Sequence, residues 1–171
     1  MKGSLDLLEV IVAERMHILA SEADRPTVQA LRKHLVPLVR GGLLERVTSE
    51  PDPMGDETSF DALTRLINEA TFLFVVWSRW SQDEFFRDLY RLAVARSVEN
   101  NVPLAPIWVD TTPQPWGLAG RAGIPWNRDD PRYTLASVSD PNPLFAEFAR
   151  SYTGQLERKA GIVRRPTPHD R

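Results

Sequence analysis

A chain of 171 residues, 42% hydrophobic and 26% charged, suits a single domain that buries about two thirds of its unfolded surface, and it holds no apolar run near the roughly 20 residues that span a bilayer. Twenty-one basic residues against 23 acidic ones leave a formal charge of -2, without the basic surplus of a phosphate-tracking protein, so neither nucleic acid nor a membrane is expected as a partner. With no cysteine, disulfides, thiolate nucleophiles and cysteine metal sites are excluded; the opening MKGSLDLLEV carries acidic residues where a secretory signal is apolar, and the cytoplasm is the expected compartment.

In chain order, SLDLLEVIVAE (4–14) reads as a short helix capped by Ser4 or, on Val10, Ile11 and Val12, as a strand. RMHILAS is a first strand. PTVQALRKHLVPLVRGG is a helix: Val28, Leu31, Leu35, Leu38 and Val39 recur at helical spacing, Pro26 suits a first turn, and Gly41 and Gly42 supply the stop. Pro37 inside that pattern is expected to kink the helix or end it early. LLERV is a second strand, and TSEPDPMGDET, with two prolines and a glycine, a loop. SFDALTRLINEA starts a helix at Ser59 with Phe60, Leu63, Leu66 and Ile67 on one stripe. TFLFVVW is apolar without alternation, the mark of a strand buried on both faces. A helix, DEFFRDLYRLAVARSVEN, and a buried strand, PLAPIWV, follow. DTTPQPWGLAGRAGIPWNRDDPRY is a Pro- and Gly-rich loop, TLASV a short fifth strand and PLFAEFARSYTGQLERKA a last helix. Residues 1–159 form one domain with a short N-terminal extension, and 160–171 read as a flexible tail.

Strands alternating with helices predict a flavodoxin-like, doubly wound α/β fold: five parallel strands in the order 2-1-3-4-5, helices on both faces, LLERV at one edge and TLASV at the other. Ligands of such sheets gather at the carboxyl ends of the strands, so SEADR, TSEPDPMGDET, SRWSQ and DTTPQPW are the loops of interest. Neither G-x-G-x-x-G nor G-x-x-x-x-G-K-[ST] occurs, which argues against a Rossmann dehydrogenase or a P-loop enzyme. His17, His34 and His169 form no metal constellation, and Ser78 and Ser81 have no neighbouring His and Asp with which to act as nucleophiles.

The order and contents of the segments resemble the bacterial Toll/interleukin-1 receptor (TIR) domain over about residues 14–157. The carriers are ILASEAD with Asp24, ALRKHLVPLVRGGLLE, MGDETSFDALTRLINEATFLFVVWS and PLAPIWVDTTPQPW. That resemblance implies assembly with a second copy or with another TIR-containing protein, and, in many members, cleavage of the nicotinamide–ribose bond of NAD by a glutamate on the third helix. SRWSQDEF is similar to the family's S-x-W-C-x-x-E-L box, with Ser78, Trp80 and Glu84 on matching positions and Ser81 in place of the cysteine. By that match Glu84 is catalytic, Trp80 lies near the cleft, and the loops around Asp24 and Asp110 frame the substrate. Aligning the flanking strands without gaps instead puts Leu89 at the glutamate position, and both placements stay open.

Leu19 and Ala20 replace the aromatic and serine that end the family's first strand, and RVTSE replaces the W-D of its second-strand exit. The resulting expectation is an intracellular interaction module of a bacterial defence or signalling pathway, degenerate at the catalytic site. The alternative is an NAD glycohydrolase using Glu84. No cofactor is expected, NAD entering only as a substrate, and no metal. TSEPDPMGDET occupies the place of the family's assembly loop, with Asp52, Met54 and Asp56 available to a partner. Plainer readings stand beside these: Asp83 and Glu84 favour the positive end of a helix, Trp77 and Trp80 suit a core, and Trp116 and Trp126 anchor an otherwise structureless loop.

Overall fold

The computed structural model describes residues 14–125 and 132–161. The segment before Glu14, Trp126, and residues 162–171 of the expected tail, His169 among them, lie outside the described residues. Four strands, β1 (Glu14–Leu19), β2 (Leu44–Thr48), β3 (Phe72–Trp77) and β4 (Leu104–Trp108), alternate with α1 (Arg25–Arg40), α2 (Ser59–Glu69) and α3 (Glu84–Asn100), and α4 (Asn142–Lys159) closes the order. The strands form one parallel sheet in the order β2-β1-β3-β4.

β3 organises both layers. Phe74 and Val76 point to one side, into a core with Met16 and Ile18, the buried stripe of α1 and the Phe145, Phe148 and Tyr152 face of α4. Leu73, Val75 and Trp77 point to the other side, against Leu63, Leu66 and Ile67 of α2 and Phe86, Leu89, Tyr90 and Ala93 of α3. A strand with two dry faces needs an uninterrupted apolar sequence and helices on both sides, and both are present.

The helix ends follow local chemistry. Thr58 caps α2 by accepting from Asp61 N at 3.1 Å, and Asp83 caps α3 by accepting from Phe86 N at 2.7 Å. α1 stops at Gly42 in the left-handed conformation, φ 75°. There Leu43 N donates to Leu38 O at 3.0 Å and Gly42 N to Val39 O at 3.1 Å, the paired bonds of a glycine stop. α1 runs through Pro37, contrary to the expected early end. Pro37 and Lys33, one turn back, are both exposed, so the carbonyl left without a donor lies on the wet side of the helix.

The expected fifth strand is the other correction: the sheet has four strands. TLASV forms a 3-10 turn over Leu135–Ser137, in which Thr134 N donates to Ser137 Oγ at 3.0 Å and Ser137 Oγ donates back to Thr134 O at 2.7 Å. Such side-chain bonds compete with a ladder. Beside β4 there is instead, among the described residues, a single bridge, where Ile124 N donates to Pro106 O and Trp108 N to Ile124 O, each at 2.9 Å. Pro106 has no N–H to extend that pairing.

Two expectations follow. Gly123 lies so close to β4 that a Cβ would stand 2.3 Å from Pro106 O. Gly123→Ala therefore forces backbone apart, and denaturant unfolding is expected to show a loss of about 1–3 kcal/mol. The second concerns His17, which is wholly buried with Nδ1 2.8 Å from Thr48 Oγ1. Thr48 Oγ1 also lies 3.4 Å from Met16 O, and Nε2 has no partner among the described residues. Burial pushes the imidazole down from 6.5 to about 4. The unfolded chain takes up a proton below 6.5 that the fold refuses, so stability is lost as pH falls from 6.5 towards 4, about 2 kcal/mol of it by pH 5. Thermal or urea melts at pH 7 and 5 are expected to show a smaller acid loss in His17→Gln than in the wild type.

Candidate functional site

β3 ends at Trp77 and the chain turns at once. Ser78, wholly buried, begins a 3-10 turn over Arg79–Gln82. Its Oγ accepts from Trp80 N at 3.1 Å, while its own N–H donates to Ser81 Oγ at 3.0 Å, and Ser81 Oγ donates to Val76 O at 3.2 Å. The two serines of SRWS satisfy the polar groups of a backbone leaving a dry strand.

This turn is clamped between two carboxylates. Ser78 Oγ donates to Asp24 Oδ2 at 2.6 Å, just beyond β1. Arg79 N donates to Asp110 Oδ2 at 3.0 Å, just beyond β4, and Thr112 N donates to Asp110 Oδ1 at 3.0 Å. Asp24, Ser78 and Asp110 thus tie together the carboxyl ends of three adjacent strands. Burial pushes the Asp24 carboxyl above the usual range; the Ser78 hydroxyl opposes this and the charge of Asp110 adds to it. For Asp110, burial pushes upward but is outweighed by the bonds from Thr112 and Arg79, and its carboxyl titrates below the usual range. Trp80 is half exposed, with the Arg79 guanidinium 4.8 Å from its ring centre.

A cleft of about 420 Å³ opens beside this clamp, at the carboxyl ends of β1 and β2. Leu19, Val28, Leu63, Phe86 and Leu89 give it apolar walls, while Glu22, Arg25, Glu50 and Asp83 supply its charged groups. Arg25 pairs with Glu50 at 3.1 Å and with Glu22 at 3.6 Å, and Asp83 is occupied as the cap of α3. Phe85 forms an outer wall and meets Phe60 edge to face, ring centres 5.7 Å apart.

Among the residues singled out from the sequence, Asp24, Trp80 and Asp110 meet through the 78–81 turn. Glu84 is the first residue of α3, exposed, and makes no side-chain hydrogen bond or ion pair among the described residues. It falls between Asp83 and Phe85, which line the cleft, but does not line it; Leu89 does. Asp52, Met54 and Asp56 stand exposed on the loop between β2 and α2. That loop is pinned by Arg65, whose Nε donates to Glu57 Oε2 at 3.1 Å and whose guanidinium reaches Asp52 O at 3.0 Å. Arg65 holds the Glu57 carboxyl below its usual range. Sequence reading missed the Arg25, Glu22 and Glu50 group and the Phe60–Phe85 contact, each of which joins segments far apart in the chain. Among the described residues no group of three or more His, Cys, Asp or Glu could hold a metal ion, and no helix is long and apolar enough to cross a membrane.

No protein-family model and no curated protein matches the chain. Among solved structures it is similar to the TIR domains in the activated Roq1 resistosome directly recognizing the pathogen effector XopQ, with a TM-score of 0.48 and 15% identity. The match spans 58% of this chain and 60% of that one, less than two thirds of its length.

The clamp yields a direct expectation. Ser78→Ala leaves a buried carboxyl without its hydroxyl donor, which costs about 1–3 kcal/mol. The same change removes a bond that holds the Asp24 pKa down, so an NMR titration of the carboxyl carbons is expected to place Asp24 higher in the variant than in the wild type.

Proposed function

We propose that the chain is a TIR-like interaction module of a bacterial defence or signalling pathway, working inside the cell by assembly with itself or with another TIR-containing protein, and not catalytic. The observation that supports this reading is the lining of the β1–β2 cleft: α3 presents Leu89 to it, while its carboxylates are engaged in an ion pair or a helix cap. Departure of nicotinamide from a ribose needs a carboxylate beside the developing oxocarbenium ion. A leucine cannot supply it.

A second reading, NAD cleavage by Glu84, draws on that residue's place in the first turn of α3 between two that line the cleft. The two readings separate in one assay: incubation of purified protein with NAD, with and without a crowding agent, following nicotinamide release for wild type and Glu84→Gln. The expected result is no release from either. Release abolished by Glu84→Gln would replace the proposal with the enzyme. Light scattering over a concentration series is expected to show an apparent mass that rises with concentration, and a pull-down is expected to retain a TIR-containing protein. A strictly monomeric chain that retains none would remove the proposal's support.

A further inference from the structure

Trp116 is 85% exposed, yet the backbone carrying it is held from several directions. Tyr90 Oη donates to the Trp116 carbonyl. Trp77 Nε1 donates to Pro113 O at 3.0 Å, and Arg121 Nε to Gly117 O at 2.6 Å. Gly117 adopts φ +94°, and a Cβ there would stand 3.0 Å from Val94 Cγ1, so the loop seats against α3 in a way that other residues resist. A large aromatic displayed on a preordered loop loses little freedom on binding, the property of an interface anchor.

The complementary feature is the β1–β2 cleft. Its volume of about 420 Å³ lies in the range that accepts a ring system of this size. Three carboxylates, Glu22, Glu50 and Asp83, surround it against one cation, Arg25. On α3, whose Tyr90 holds the Trp116 loop, the exposed Arg87 and Arg91 lie one turn apart on one side of Tyr90, Arg91 pairing also with Asp88 at 3.8 Å. An exposed aromatic on a loop seated against this arginine-bearing helix matches an apolar cleft with an acidic rim. Within one chain the two cannot meet. Phe85 and Leu89 line the cleft from one flank of α3, and Tyr90 and Val94 hold the loop on another, about 140° around the helix.

We propose that Trp116 of one copy seats in the β1–β2 cleft of a second copy, with Arg87 and Arg91 against the acidic rim. The contact is heterologous, of the kind that propagates as a ring or an open chain. It rests on the reading of the chain as a self-associating module and names the surfaces that would do it.

Because donor and acceptor surfaces differ, the test is complementation. Trp116→Ala removes the donor and keeps the cleft; Ser21→Arg, at the lining of the cleft, blocks the acceptor and keeps Trp116. Phe85→Arg, half exposed on the same wall, serves as a second blocking variant, and thermal melts report that each protein folds. By light scattering each variant alone is expected to associate at least tenfold more weakly than wild type. An equimolar mixture of a donor-dead and an acceptor-dead variant is expected to give a species of twice the monomer mass and nothing larger. Association of Trp116→Ala equal to wild type, or a mixture that stays monomeric, overturns the inference while the proposed function stands. A wild type that stays monomeric but retains a TIR-containing protein does the same. A wild type that stays monomeric and retains no partner overturns both.

Discussion

The dry sheathing of β3 on both faces is the constraint from which the rest follows. An apolar strand with helices above and below cannot end in a loose connection, because every backbone group at its exit would be left in an apolar surrounding without water. Ser78 and Ser81 satisfy those groups within four residues, and Asp24 and Asp110 hold the turn against the ends of β1 and β4. The polar clamp is the termination of the central strand as much as it is a site. Its residues are tightly placed for that reason, and the same placement keeps them out of the neighbouring cleft.

That division separates two kinds of acidic residue. The carboxylates of the clamp are buried or heavily hydrogen-bonded, and their titration is displaced accordingly. Those at the cleft lie towards solvent: the Glu22 and Glu50 side chains are 88% and 60% exposed, and the Arg25 between them is 51% exposed. Exposed pairs of this kind contribute little stability. With two carboxylates against the one Arg25, a net negative charge acts on what approaches, within the roughly 8–10 Å reach left by physiological salt.

The sequence made the sheathed strand legible because a run such as FLFVVW admits few other placements, and α1 and α2 were legible from their stripes, α1 also from its stop at Gly41 and Gly42. Burial fell as that pattern implied for Leu63, Leu66 and Ile67 of α2, whereas Phe60, expected on the same stripe, is exposed. TLASV misled because its apolar residues suit a strand, whereas Thr134 and Ser137 close on each other locally and the strand it would have joined carries a proline. The direction of Glu84 was illegible for a different reason. It depends on the length and winding of the turn after Trp77, which is set by hydrogen bonds to Asp24 and Asp110, 54 and 31 residues away in the chain. No local spacing records those bonds.

Pro106 has a consequence for the sheet as a whole. Odd-numbered backbone positions along β4 face β3, a pattern that the bond from Val109 N, one residue past the strand, to Trp77 O continues, and Pro106 and Trp108 face outward to Ile124. The missing N–H of Pro106 therefore lies on the outer margin, where an incoming strand would need it. A sheet blunted in this way resists edge-to-edge stacking and the fibrous aggregates that begin with it. On that margin the protein is guarded against irreversible cross-chain strand pairing.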